Sequence, residues 1–204
     1  MIRSQLHEGM ALLTIDRPDK ANSLTAAMLR DLLAAVSDAR MAGVRALVLT
    51  GTGRVFSAGA DLDEARAGLA TAPEWEALSG AVAAMPCLTI GALNGTLAGG
   101  AFGMALACDI RLAVPEARFF YPVMRLGFLP QPSDTGRLSR LVGPARARMI
   151  LMAGARIEAP EAQAWGLVDR IHPAAELLPA AMALAADAVA AAPEHVAAIK
   201  AMTA

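Results

Sequence analysis

Apolar residues along this chain alternate between short runs of strand length and stripes at helical spacing. Residues 10–15 (MALLTI), 46–49 (ALVL) and 88–93 (LTIGAL) read as strands, the last closed by the turn signal Asn94-Gly95. Leu29, Leu32, Leu33 and Val36 share one helical face, which predicts a helix capped by Ser23 or Thr25, running to about Arg40 and ended by Gly43. Residues 55–57 read as a short extended piece, and Asp61 is placed to cap a short helix through Ala67. Pro73 starts a helix through Trp75 and Val82 that stops before Pro86. Beyond the centre, 110–114 and 117–120 read as strands about a Pro115-Glu116 turn, and 121–132, with its three prolines, reads as irregular. Helices are predicted at 138–142, 144–152, 159–165 (closed by Gly166), 174–192 and 193–202, with a strand at 167–171. Strands separated by helices, with short connections, predict an α/β domain with a largely parallel sheet.

The chain is organised around residues 88–109, LTIGALNGTLAGGAFGMALACD. A buried strand runs into a glycine-rich turn, and Gly99-Gly100 opens a helical run that stops before Asp109. The stretch up to Cys108 carries no charge and is long enough to cross a bilayer. Asn94, Thr89, Thr96 and the glycines interrupt it, and a turn divides it, so a buried strand followed by a buried helix is the expectation.

Composition narrows the class. A chain of 204 residues that is 56% hydrophobic suits one domain with a large core. A formal net charge of −1 argues against a nucleic-acid-binding surface. Cys87 and Cys108 have apolar neighbours and no metal-ligand spacing with the three histidines, which points to inert buried thiols in a reducing, cytoplasmic setting. No apolar signal core opens the chain, and no repeat of fixed period is visible.

Two segments share a design: FSAGADL at 56–62 and NGTLAGGAFG at 94–103 each leave a strand, pass through Ala and Gly, and enter a helix. If their strands are neighbours in one sheet, the turns meet at one end, where ligands bind in such sheets. The N–H groups of Ala60 and Gly100 would then converge on one acceptor, an arrangement suited to a thioester carbonyl that becomes an enolate oxyanion.

These pieces resemble the crotonase superfamily, the enoyl-CoA hydratase/isomerase family. The matching segments are DRPDKANSLT (16–25), VFSAGADL (55–62), NGTLAGGAFGMALACDIRLA (94–113), RLGFLP (125–130) and EAQAWGLVDRI (161–171), in the family's order. The resemblance implies a spiral of ββα repeats, residues 1–142 or so, followed by a C-terminal helical part, 143–204, shorter than the family's, all in one domain. It implies assembly as a homotrimer or dimer of trimers and an acyl-CoA ligand, with coenzyme A entering as part of the substrate and no separate cofactor, metal, nucleic acid or membrane partner. By motif position, Ala60 and Gly100 are the oxyanion-hole donors, and Lys20, Ala21, Ser57, Ala58 and Ala60 fall where the family contacts CoA.

The chain departs from the pattern where the chemistry is expected. The resembling hydratases carry two glutamates, and here Gly103 and Val123 stand in those positions. Neither residue transfers a proton, so hydration by the usual route is not expected. Gln131 stands where some relatives carry an aspartate. The remaining polar candidates are Tyr121, Gln131, Ser133, Asp134, Asp63, Glu64, Arg66 and Arg125. Tyr121 also reads as an aromatic packed beside Phe119 and Phe120, and Asp134 as a helix N-cap. Asp63 and Glu64 read as surface residues. His7, His172 and His195 lie away from the motifs; Trp75 and Trp165 read as core anchors. The functional expectation is an acyl-CoA enzyme of isomerase or decarboxylase type, set against a non-catalytic acyl-CoA-binding protein. A serine nucleophile at Ser57 lacks the first glycine of its elbow, where Val55 stands, and Gly99–Gly103 does not meet dinucleotide-binding spacing.

Overall fold

The structure is a computed structural model and describes residues 1–203. The chain begins with β1 (Ile2–His7), β2 (Met10–Ile15) and α1 (Ala26–Met41). Three similar units follow. The first is β3 (Ala46–Gly51), β4 (Val55–Ser57), α2 (Leu62–Arg66) and α3 (Glu74–Ala83). The second is β5 (Leu88–Leu93), β6 (Thr96–Ala98) and α4 (Phe102–Leu106), and the third is β7 (Ile110–Ala113), β8 (Arg118–Phe120) and α5 (Val123–Leu126). The remainder is α6 (Pro132–Val142), α7 (Pro144–Leu151), β9 (Ile157–Glu158), α8 (Ala159–Trp165), β10 (Arg170–Ile171), α9 (Ala174–Ala190) and α10 (Pro193–Met202).

Each unit hands its first strand to one sheet and its second to another. The larger sheet has the order β1-β2-β3-β5-β7-β10, parallel except for the β1–β2 pair, and the smaller has the order β4-β6-β8-β9, parallel except for β9. This is the expected spiral of ββα repeats. Strand β2 alternates, burying Ala11, Leu13 and Ile15, whereas β3 is buried on both faces for five residues, as a central parallel strand requires. Helix α1 buries Met28, Leu29, Leu32, Ala35, Val36 and Ala39, and packs on β1, β2 and α3. Helix α9 lies against β3, β5 and β7.

Thr25, not Ser23, caps α1, its hydroxyl accepting from the Met28 N–H at 3.2 Å. Four elements escape the hydrophobic pattern. Strand β1 is a polar, exposed edge; β6 and β9 are three and two residues long; and α5 lies within the segment expected to be irregular. Helix α6 starts at Pro132 rather than near Leu138, and only Arg170–Ile171 of 167–171 is strand. The strands on either side of Pro115-Glu116 belong to different sheets. No single helix among the described residues is long and apolar enough to cross a membrane, and residues 88–108 divide among β5, β6, a 3-10 turn and α4.

Two asparagines fix the smaller sheet to the larger. Asn22 is fully buried; its Nδ2 donates to the carbonyls of Thr52 (2.9 Å) and Val55 (2.6 Å), and its Oδ1 accepts from the Arg17 N–H at 2.8 Å. Asn94 accepts from the Gly51 N–H at 2.9 Å and donates to the Gly53 and Val55 carbonyls. The β3–β4 turn is thus held from both sides. Gly95 packs so closely that a Cβ there would overlap the Arg54 carbonyl.

Candidate functional site

Strands β4 and β6 are parallel neighbours, Val55 beside Thr96 and Ser57 beside Leu97, so the turns that leave them run side by side. The turns touch through glycines in left-handed conformation, Gly59 (φ +90°) and Gly99 (φ +58°). A Cβ on Gly59 would lie 2.9 Å from the Ala98 carbonyl oxygen and 3.3 Å from the Gly99 Cα. In the first turn the Ala58 N–H donates to the Ala21 carbonyl (3.0 Å), that of Gly59 to the Ser57 Oγ (3.2 Å), and that of Asp61 to the Leu24 carbonyl (2.8 Å). The Ala60 N–H between them has no acceptor among the described residues, nor has the Gly100 N–H in the second turn. Trp75 backs the second turn. Its ring lies 3.0 Å from where a Gly100 Cβ would stand, and its Nε1 is anchored on the Leu69 carbonyl at 2.8 Å.

A cavity of about 250 Å³ opens over both turns, lined by Ala58, Ala60, Gly99, Gly100, Tyr121 and Val123. Apolar side chains of α2 and of the α5 region close its other sides, and its titratable lining residues, among those described, are Tyr121 and Arg125. Val123 thus adds to the apolar wall of the cavity. A larger groove of about 630 Å³ at α9 and α10 holds neither of the two turns, and of the motif segments only Asp109 lines it.

Tyr121 is buried and stacks on Phe102, with ring centroids 5.3 Å apart, rather than on Phe119 or Phe120. Its hydroxyl donates to Asp134 Oδ2 at 2.9 Å. Asp134 is 1% exposed and lies in the first turn of α6, but it does not cap that helix; Gln131 holds the N-cap position without a side-chain bond. Asp134 Oδ1 has no hydrogen-bond partner among the described residues. A Cβ on Gly103 would sit 2.9 Å from that oxygen. The carboxyl of Asp134 therefore occupies the space that a side chain at 103 would need. Burial pushes this carboxyl up to about 6, against the opposing pull of the Tyr121 hydrogen bond and Arg137. Burial and the facing carboxylate raise the Tyr121 phenol far above its usual range.

The other candidates divide by role. Lys20, Ala21, Ser57 and Ala58 come together through the Ala58–Ala21 bond, with Lys20 exposed and the Ser57 hydroxyl buried and donating to the Asn22 carbonyl at 2.8 Å. That hydroxyl serves the backbone, not a nucleophile's role. Gln131 is not among the residues lining the cavity; its Nε2 donates to the carbonyl of Ala70, which does line it, at 3.3 Å. Asp61 caps α2 and pairs with Arg17 at 2.8 Å, which holds its carboxyl below the usual range. Glu64, expected as a surface residue, accepts from the Ala26 N–H at 2.7 Å and so closes the start of α1. Asp63 and Arg66 form an exposed pair. His7 and His195 are exposed, and His172 half-buried, all outside the cavity. Cys87 and Cys108 are free and buried, their thiols pushed up to about 11 and about 12 by burial.

With this geometry in place, the model of one family, enoyl-CoA hydratase/isomerase, matches residues 5–204. The chain belongs to the enoyl-CoA hydratase/isomerase family. Within it, the chain is 38% identical over 188 residues to YngF of Bacillus subtilis, named as an enoyl-CoA hydratase/isomerase; the match covers 88% of this chain and 72% of that protein. A protein of Rhodobacter capsulatus named as an enoyl-CoA hydratase is 40% identical over 172 residues, covering 82% of this chain and 66% of its own length. Among solved structures, Pseudomonas aeruginosa PA4980 superposes with a TM-score of 0.90 at 30% identity, covering 99% of this chain and 90% of that one. The enoyl-CoA hydratase of Bacillus anthracis superposes with a TM-score of 0.90 at 31% identity, covering 98% and 80%. The crotonase fold is common to them.

Residue-by-residue reading missed the structural weight of Asn22 and Glu64. The signal for Asn22 lay in its place after the charged turn, where a buried amide can satisfy several turn carbonyls at once. Glu64 gave no signal, because its partner, Ala26, is 38 residues away in sequence.

Proposed function

We propose that the cavity over the Ala60 and Gly100 turns receives the thioester of an acyl-CoA, and that the two main-chain N–H groups hold the oxygen of its enolate. The observation that carries this is the pair of unsatisfied amides on one cavity, delivered by two turns in contact through Gly59 and Gly99. Both residues are half-buried and face the cavity, so their N–H groups are open to an acceptor that enters it. One such donor typically contributes about 2.7–4 kcal/mol to transition-state stabilisation. Ala58 lines the cavity, and its bond to the Ala21 carbonyl ties to it the segment of Lys20 and Ala21, which we assign with Ser57 to the CoA moiety. Assembly as a homotrimer or dimer of trimers belongs to the same reading, supported by apolar side chains exposed beside the cavity, Met124, Leu126 and Leu129.

The reaction is double-bond isomerisation or decarboxylation of an acyl thioester rather than hydration. Gly103 and Val123 supply no proton-transferring group, and both favoured reactions proceed through an enolate without activating water. The test is incubation with crotonyl-CoA, 3-hexenoyl-CoA and malonyl-CoA, followed by mass and absorbance. Loss of carbon dioxide from malonyl-CoA, or conjugation of 3-hexenoyl-CoA, is the expected result. Hydrated crotonyl-CoA as the main product would refute it. A second reading, a binding protein without turnover, is favoured by a cavity lining that contains no carboxylate. Saturable binding of all three thioesters with no chemical change would decide for it.

A further inference from the structure

We infer that Tyr121 and Asp134 form a proton relay that replaces the absent glutamates, with Tyr121 meeting the Cα of the bound thioester and Asp134 storing the proton behind it. The inference rests on the acyl-CoA reading above. Tyr121 lines the same cavity as Ala60 and Gly100, and its hydroxyl is bonded to Asp134 Oδ2 at 2.9 Å.

Among the described residues, only Tyr121 bonds the carboxyl. It caps no helix, and Arg137, the nearest cation on α6, donates instead to Ser79 Oγ at 3.0 Å. Glu76 on α3 accepts from the Ser133 N–H at 3.2 Å. The groups whose charge bears on Asp134 are therefore Tyr121, Arg137 and Glu76. A structural aspartate at 1% exposure would have both oxygens bonded, yet Oδ1 is unpartnered. It points at Gly103, whose missing side chain makes its room. The glycine that removes one proton carrier thus admits another, from a different element.

The step balances. As the Cα–H bond breaks, its electron pair moves into the thioester to form the enolate at the two amides. The released proton passes to the Tyr121 oxygen, while the phenol's own proton passes to Asp134 Oδ2, converting carboxylate to acid. Reversal returns the proton to Cα, or to Cγ in an isomerisation. In a decarboxylation, carbon dioxide leaves with its bond pair donated to the enolate, and only the return half operates. Tyr121 thus avoids a free phenolate, which its burial forbids.

The experiment is exchange of the α-protons of hexanoyl-CoA with deuterium oxide, alongside calorimetric binding of the same thioester, for the full chain and for Asp134→Asn and Tyr121→Phe. The wild-type exchange rate is expected to rise with pH through about 6, as the carboxyl ionises, and then level off. Both variants should bind hexanoyl-CoA comparably and lose about 100-fold or more in exchange. An unaltered rate and pH profile in Asp134→Asn overturns the relay, as does wild-type exchange that is flat from pH 5 to 8, or binding without exchange. The wild-type profile decides even if a variant fails to fold. Failure of the wild type to bind removes the acyl-CoA reading and the relay with it.

Discussion

Asp134→Asn should change how the stability of this protein depends on pH. The folded state raises the carboxyl from its ordinary 3.8 to about 6, chiefly by burial. Between those values the native state holds about one proton more than the unfolded chain, so raising the pH across this window lowers wild-type stability. Two units, at about 1.4 kcal/mol each, come to about 3 kcal/mol. The penalty is absent below about pH 3.8 and complete above about 6. Asparagine keeps the shape and an oxygen for the Tyr121 hydroxyl but cannot ionise. Every other titrating group, including Asp16 and Asp61 with their lowered carboxyls, is common to both proteins and cancels in the difference. Urea unfolding of the pair at steps from pH 3.5 to 7 should show Asp134→Asn gaining about 3 kcal/mol relative to wild type as the pH rises. Parallel curves, with a constant difference at every pH, would refute the assignment of a buried, strained carboxyl.

Gly103→Ala should cost about 1–3 kcal/mol in thermal or urea unfolding, because the new Cβ meets Asp134 Oδ1 at 2.9 Å and Ser79 Cβ at 3.4 Å. Gly103→Glu should be worse alone and regain stability when combined with Asp134→Gly, which vacates the space. Gly59→Ala should cost at least about 1–2 kcal/mol from its φ of +90°. It should also weaken hexanoyl-CoA binding in calorimetry, since its Cβ presses on the Ala98 carbonyl. Asn22→Ala should cost about 2–4 kcal/mol in urea unfolding, leaving the Thr52 carbonyl and the Arg17 N–H without their buried partner and the Val55 carbonyl with Asn94 alone.

The parts of the fold legible in the sequence are those whose stabilisation is local. Helix α1 announces itself through Leu29, Leu32 and Val36, and β3 and β5 through apolar runs. Asp61 was readable as a cap because the donors its carboxylate accepts from, the Asp63 and Glu64 N–H groups, follow it directly. Thr96–Ala98 was not readable as a strand. Three residues make no period, and this segment is extended because β4 and β8 lie on either side of it. The same limit applies at the cavity. Gly103 and Val123 were legible as departures from the resembling sequences, and Asp134 was legible as a polar candidate that also reads as a cap on its own helix. Its pairing with Tyr121 and its approach to Gly103 depend on how α6 packs on α4, a contact between segments about 30 residues apart that no local pattern encodes.

Ala60 and Gly100 follow the second strands of successive ββα units. The span between their amides therefore starts from the pitch of strand pairing, about 4.8 Å. A grip built this way is indifferent to the residues above it. On the proposed reading, substitutions at 103, 123 and 134 would exchange one reaction for another while the hold on the carbonyl oxygen stays as the backbone ladder sets it. On this architecture the reaction is the replaceable part and the anchorage is the invariant one.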